Sequence, residues 1–200
     1  MKILHIISSL RGEASFSNKL GNSIIEKIAT KHTVEVKERN LASAPLPHLS
    51  DAHVAAFFTP AEERTAAQLE TIGPSDEAIA ELMDADTLVI DVPMYNFTIP
   101  STIKAWIDQI ARAGLTFKYG ENGIQGLVVN KKAYLAISTG GIYSEGFMKD
   151  FDHTEQYLRH VLGFLGITDI EVFRIEGVNL SEAKDDVFLK AKQRVKEFVF

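Results

Sequence analysis

Thr87-Leu88-Val89-Ile90-Asp91-Val92 runs straight into Pro93-Met94-Tyr95-Asn96-Phe97-Thr98. A short run that is apolar at nearly every position, not at every second one, fits a strand covered on both faces. The Pro and Asn after it end the run in a turn. Such a strand needs a layer on each side of its sheet, so it is the expected central strand of an α/β fold.

On the N-terminal side, Ser75 stands as a cap for a helix whose Ile79, Leu82 and Met83 form the expected buried stripe. Before it, Thr59-Pro60-Ala61-Glu62 offers a capping Thr, a first-turn Pro and a Glu three residues on, a helix start that Gly73-Pro74 is expected to end. Ala42 to Phe58 carries Pro45 and Pro47 without a clear period and reads as an irregular excursion. The chain opens with an apolar strand, Lys2 to Ile7, then a polar loop, Ser8 to Ser17, then Leu20, Ile24, Ile25 and Ile28 at helical spacing. Thr33 to Glu38 alternates, with Val34 and Val36 on one face, as an edge strand does.

On the C-terminal side, Pro100 opens a helix with Ile103, Trp106, Ile107, Ile110 and Ala111 on one face. Leu115 to Asn130, loosely alternating around Gly120, Gly123 and Gly126, reads as an irregular or hairpin insertion. Ala133 to Ile137 is a second buried strand ending at Ser138-Thr139-Gly140-Gly141. Tyr157, Leu158, Val161, Leu162 and Leu165 mark a helix that Gly166 ends, Ile170 to Ile175 a fifth strand, and Val187, Phe188, Ala191, Val195 and Val199 a closing helix. Five strands alternating with helices predict a mainly parallel sheet in a three-layer α/β fold. No repeat or linker divides residues 1–200, so one domain is expected.

Composition narrows the function. Hydrophobic residues at 46% and charged residues at 24% exclude disorder, collagen-like and coiled-coil classes. Lys+Arg 21 against Asp+Glu 27 leaves a net charge of -6, which argues against a nucleic-acid partner. With no cysteine, disulfides, thiolate metal sites, iron–sulfur clusters and thiol nucleophiles drop out. His5 interrupts the first apolar stretch and Arg11-Gly12-Glu13 follow it, so it reads as a strand and not a leader. No run approaches the ~20 apolar residues of a membrane span. The expectation is a cytoplasmic protein with no membrane partner.

In open parallel sheets, ligands bind beyond the carboxyl ends of the strands. Three such ends carry candidate chemistry. Ser8 to Ser17 brings four serines to a helix start, which suits a phosphate, although Ser15 or Ser17 as a simple cap explains the loop as well. It has neither a G-x-G-x-x-G nor a G-x-x-x-x-G-K-[ST] pattern. Met94 to Phe97 puts two aromatics, a thioether and an amide after a buried strand, which suits a flat aromatic ligand or a packed turn. Ser138 to Gly141 permits close backbone approach or a plain turn. His48, His53, His153 and His160 have no metal-ligand spacing, and no G-x-S-x-G elbow is present. Asp150 and Asp152 read as a solvated helix start, and Lys184 to Lys196 as the wet face of the last helix.

Taken together, Ser9 with Ser15-Phe16-Ser17, Pro93 to Phe97, Ala113-Gly114-Leu115-Thr116-Phe117-Lys118-Tyr119 with Gly123 and Gly126-Leu127, Ser138 to Gly141, and Gly163-Phe164-Leu165-Gly166-Ile167 resemble the FMN-dependent NADH-azoreductases, the flavin quinone reductases of flavodoxin-like fold. The resemblance runs nearly end to end. It implies a sheet of order 2-1-3-4-5, FMN at its carboxyl edge, and a homodimer that frames two active sites. Ser9, Ser15, Ser17 and the Phe16 backbone would hold the FMN phosphate. Met94, Tyr95, Asn96 and Phe97 would line the isoalloxazine, and Ser138, Thr139, Gly140 and Gly141 would meet its polar edge. Thr139 stands where family members often carry Arg or Asn, and Phe16 where a polar residue is common. Tyr119 and Phe164 would wall the substrate pocket. The implied reaction is ping-pong: NADH or NADPH reduces the flavin, which then reduces a quinone or an azo compound, with no protein nucleophile and no metal.

Two rivals share the architecture. A flavodoxin-type carrier would bind FMN without oxidising NADH, but the long Ser8 to Ser17 loop and the Leu115 to Asn130 insertion count against it. A receiver-type signalling module would need clustered acids after the first strand, where Ser8-Ser9-Leu10-Arg11 has none.

Overall fold

The computed structural model describes residues 1–121, 123–180 and 184–200. Five parallel strands, β1 (Lys2–Ile7), β2 (Glu35–Asn40), β3 (Thr87–Pro93), β6 (Lys132–Ser138) and β7 (Asp169–Ile175), form one sheet in the order β2-β1-β3-β6-β7. Apart from the hairpin β4 (Phe117–Gly120) and β5 (Gly123–Gly126), this is the expected order 2-1-3-4-5. The hairpin is the insertion expected between Leu115 and Asn130, within which Asn122 lies outside the described residues.

Every residue of β3 is buried, as its unbroken apolar run requires, and β2 at the edge is almost wholly exposed. Side chains alternate across the strands. Leu4, Ile6, Leu88, Ile90 and Val92 face α3 (Ala66–Asp84), α4 (Ser101–Ile110) and α5 (Thr154–Leu165); Ile3 and Val89 face α1 (Phe16–Ala29) and α6 (Lys184–Glu197). Phe198 and Phe200 close the second layer against Tyr134 and Phe173, with centroids 4.8–6.5 Å apart.

Five local expectations are corrected. The helix expected to stop at Gly73-Pro74 continues, so α3 spans 19 residues with Pro74 inside it. Proline removes one intrahelical hydrogen bond, at roughly 3 kcal/mol, and burial of Ala78, Ile79 and Leu82 against the sheet, with Ile72 also buried, offsets it. Ser75 is therefore no cap: its Oγ donates to the Gln109 carbonyl at 2.6 Å and accepts from Arg112 at 3.1 Å, tying α3 to the end of α4. The helix starts at a capping box of Thr65 and Gln68, while the expected start at Thr59-Pro60 leads only into a short 3-10 turn, Ala61–Glu63. The excursion from Ala42 to Phe58 contains α2 (Asp51–Phe58), too short to display a period. Finally, Met83 and Val199, placed on buried stripes, are 44% and 79% exposed.

The remaining helix ends agree with their signals. Pro100 precedes α4, and Gly166 closes α5 in the left-handed region at φ 111°. Among the described residues no helix is long and apolar enough to cross a membrane, and no group of three His, Asp or Glu is placed to hold a metal.

Candidate active site

The carboxyl ends of β1, β3 and β6 meet at one edge of the sheet. Met94 N–H donates to the Ser138 carbonyl at 2.8 Å, and Ser8 Oγ donates to the Asp91 carbonyl at 2.6 Å, so the three ends are linked directly. Between them lies a cleft of about 210 Å³. Ser9, Ser15 and Phe16 line it from the first loop, Met94 and Tyr95 from the second, and Ser138, Thr139 and Gly140 from the third.

The first wall is built around the start of α1. Ser15 is the N-cap, its Oγ accepting from Asn18 N–H at 3.3 Å and lying 3.0 Å from the Ser17 Oγ. Ser15 thus caps the helix, and the two buried hydroxyls form a pair behind the cleft. The first-turn amides of Phe16 and Ser17 have no carbonyl within the helix to bond, and the helix dipole favours an anion there. Ser9 Oγ accepts from Arg11 N–H at 3.3 Å, which leaves its own proton available.

The second wall is a tight turn. Tyr95 and Thr98 exchange backbone hydrogen bonds at 2.9 and 3.1 Å, which forces Asn96 and Phe97 into left-handed backbone at φ 50° and 71°. Asn tolerates that region; for Phe the cost is on the order of 1 kcal/mol or more. The Asn96 and Phe97 amides donate to no backbone acceptor among the described residues. Asn96 points to the neighbouring space, a mainly apolar cavity of about 670 Å³ that it lines with Leu10, Tyr95, Ile99, Lys104 and Tyr157. Phe97 is 44% exposed and lies against Tyr143 and Phe151.

In the third wall, Thr139 Oγ1 donates to the Gly141 carbonyl at 2.7 Å, so this buried hydroxyl closes the turn itself. The Gly140 and Gly141 carbonyls accept from Asn179 and Gly177, and the two glycine amides have no backbone acceptor among the described residues. Tyr119 and Phe164 do not line either cavity. They flank Phe117, at 5.6 and 4.6 Å between centroids, and Tyr119 is 72% exposed.

Below the cleft, His5 Nε2 lies 2.8 Å from Asp91 Oδ2, both side chains fully buried and facing α1. A Cβ on Gly21 would fall 1.9 Å from Asp91 Oδ1, so only glycine lets α1 pass over this pair. Burial pushes the Asp91 carboxyl up to about 6, with the His5 hydrogen bond opposing the rise.

The donors fit a flavin mononucleotide. Hydroxyls and first-turn amides match a phosphate, free amides in two walls match the heteroatoms of a ring, and the apolar cavity beside them matches its faces. A parallel sheet of this order with such a cradle at its carboxyl edge defines a flavodoxin-like protein. The family model described as a flavodoxin-like fold matches residues 1–199. The chain is 45% identical, over 98% of its length and 94% of the relative's, to an FMN-dependent NADH:quinone oxidoreductase of Mesorhizobium japonicum. It is 44% identical to one of Idiomarina loihiensis, covering 98% of each chain. Among solved structures, an FMN-dependent NADH-azoreductase from Bacillus anthracis in complex with FMN superposes with a TM-score of 0.88 at 26% identity, covering 98% of this chain and 97% of that one. The chain belongs to this flavodoxin-like family and, within it, to the FMN-dependent NADH:quinone oxidoreductases.

Sequence reading missed Arg11, Val178 and Asn179, which also line the cleft. Arg11 is a cation inside the loop already singled out, and Asn179 follows the carboxyl end of β7. Applying the strand-end rule to all five strands would have found it.

Proposed function

We propose that the chain is an FMN-dependent NAD(P)H oxidoreductase that reduces quinones and aromatic azo compounds. The observation that carries the reading is the convergence of three strand ends on one cleft whose walls supply buried hydroxyls and free amides. Ser9, Ser15, Ser17 and the Phe16 amide hold the phosphate at the start of α1. Met94 to Phe97 line the ring, and Ser138 to Gly141 meet its polar edge. Held there, FMN would supply two-electron redox chemistry between NADH or NADPH and the acceptor, the two occupying the site in turn. The chain's own groups bind, orient and exclude water; rigid amides at Asn96, Phe97, Gly140 and Gly141 stand as fixed donors where negative charge develops. No side chain has to act as a nucleophile.

The larger apolar cavity gives nicotinamide and acceptor a common place to stack in turn, which a protein-to-protein carrier would not require. The relatives' names support the enzyme over the carrier. Residues 1–200 act as one FMN-binding domain. Leu10, Tyr119 and Phe147, all more than 70% exposed, favour a homodimer in which Tyr119 and Phe164 wall a pocket completed by the second protomer. Its place is the cytoplasm, where reduced nicotinamide is supplied.

The test is one visible spectrum of the purified protein, reconstituted with FMN, before and after anaerobic NADH and after a simple quinone. Bound flavin that bleaches and then recovers supports the enzyme. Flavin left oxidised by both NADH and NADPH leaves a carrier, and no bound flavin removes the site assignment.

A further inference from the structure

Arg174 on β7 points toward α5 and is mostly buried, its side chain 13% exposed. It meets three carboxylates. Nη2 donates to Asp152 and to Glu155 at 2.6 Å each, Nε donates to Glu155 at 3.2 Å, and Nη1 lies 3.6 Å from Glu176. Burial alone would raise the Glu155 carboxyl; hydrogen bonds from Arg174 and Arg159 outweigh it and hold Glu155 below its ordinary value.

These acids grip the two ends of one segment, residues 142–153, which crosses the sheet edge between β6 and α5. At its start, Glu176 accepts from Tyr143 N–H at 2.8 Å; at its end, Asp152 accepts from Thr154 N–H at 2.8 Å and so caps α5. Between these anchors the segment touches the strained turn of the second wall. Tyr143 and Phe151 lie 6.4 and 5.6 Å from the Phe97 ring, and His153 N–H donates to the Phe97 carbonyl at 3.0 Å. Replacing a buried ion-pair network by apolar groups is often neutral for stability, so stability alone is a weak reason for an Arg here. Its fork fixes several carboxylates at once, which a fixed geometry does need.

We propose that Arg174 is a positioning residue: through Asp152 and Glu176 it fixes segment 142–153, and through that segment it holds Phe97 and its turn in the geometry the acceptor site uses. The inference rests on the function proposed above for the same site. The phosphate end of the cleft, at Ser15 and Ser17, makes none of these contacts.

The experiment compares Arg174→Met, Arg174→Lys and Phe151→Ala, each loaded with FMN, by visible spectrum, thermal midpoint and quinone kinetics. Arg174→Met is expected to keep FMN, alter the flavin band shape and raise the quinone KM about tenfold with kcat changed far less, a misplacement effect. Arg174→Lys recovers part of the loss. Phe151→Ala, which leaves every ion pair intact, reproduces the KM change, and the double variant is no worse than either single one. A lowered midpoint with wild-type KM and spectrum in Arg174→Met overturns the proposal; should that variant not fold, a wild-type KM in Phe151→Ala overturns it alone. Failure of the underlying function shows earlier and separately, as a wild-type protein that holds no flavin.

Discussion

Asn96 and Phe97 hold left-handed backbone where glycine is the usual occupant, so their side chains have a reason to be there that the turn does not supply. Asn96→Gly relaxes the backbone and deletes the amide. The expected outcome is an unchanged or higher thermal midpoint with a several-fold lower rate of flavin reduction; an unchanged rate in stopped-flow removes Asn96 from the ring site. The serines separate in the same way. Ser17→Ala is expected to weaken FMN binding about tenfold with little change in stability, one lost hydrogen bond to a charged group. Ser15→Ala, which also loses a cap, is expected to cost about 1 kcal/mol of stability besides. Equilibrium dialysis and thermal melts read the two effects.

The buried His5–Asp91 pair carries a pH signature. The Asp91 carboxyl titrates near 6 in the folded chain, above its ordinary value of 3.8, because burial disfavours its charge. The folded state therefore holds the proton more tightly, and the stability this group contributes is complete below about 4 and lost as pH rises through 6. In Asp91→Asn that loss is absent. The gap in thermal midpoint, variant minus wild type, is expected to rise from pH 4 to pH 7 and then level off; parallel curves would show that Asp91 does not titrate there.

At the scale of elements, legibility followed how self-contained each signal was. The strands of β3 and β6 read directly, because an unbroken apolar run has few other uses. The helix α3 did not, since a Gly-Pro pair is a strong local stop and only contact with the sheet, with Gln109 on α4 and with Arg112 just after it outweighs it. The three walls of the cleft stood in the sequence as strand ends. Asn179 did not, because its loop carries no local pattern, and Arg174 did not, because a lone Arg in a strand reads as an exposed residue. Pro74→Ala tests the account of α3: it restores one backbone donor in a helix that is already continuous, and is expected to raise stability by about 1 kcal/mol or more. A lowered midpoint would mean that Pro74 has a packing role.

For the whole molecule, cofactor binding and stability are linked. FMN that binds only the folded chain, at a hundred times its dissociation constant, adds about 2.7 kcal/mol, roughly a 5–10 °C rise in midpoint for a protein of this size. A midpoint indifferent to FMN excludes the site, and sedimentation at twice 22.2 kDa would identify the homodimer.

The link between Ser8 and Asp91 joins residues 83 positions apart, and β3 is the strand through which β6 joins β1 in the sheet. Long loops must close before either contact is rewarded, which makes such sheets slow to assemble. No early intermediate that lacks the β3–β6 pairing has a cleft to offer. Flavin capture is therefore a clock for the last stage of folding: in a refolding experiment the quenching of added FMN should lag behind the recovery of helical signal, and the lag measures how long the chain searches before its sheet is complete.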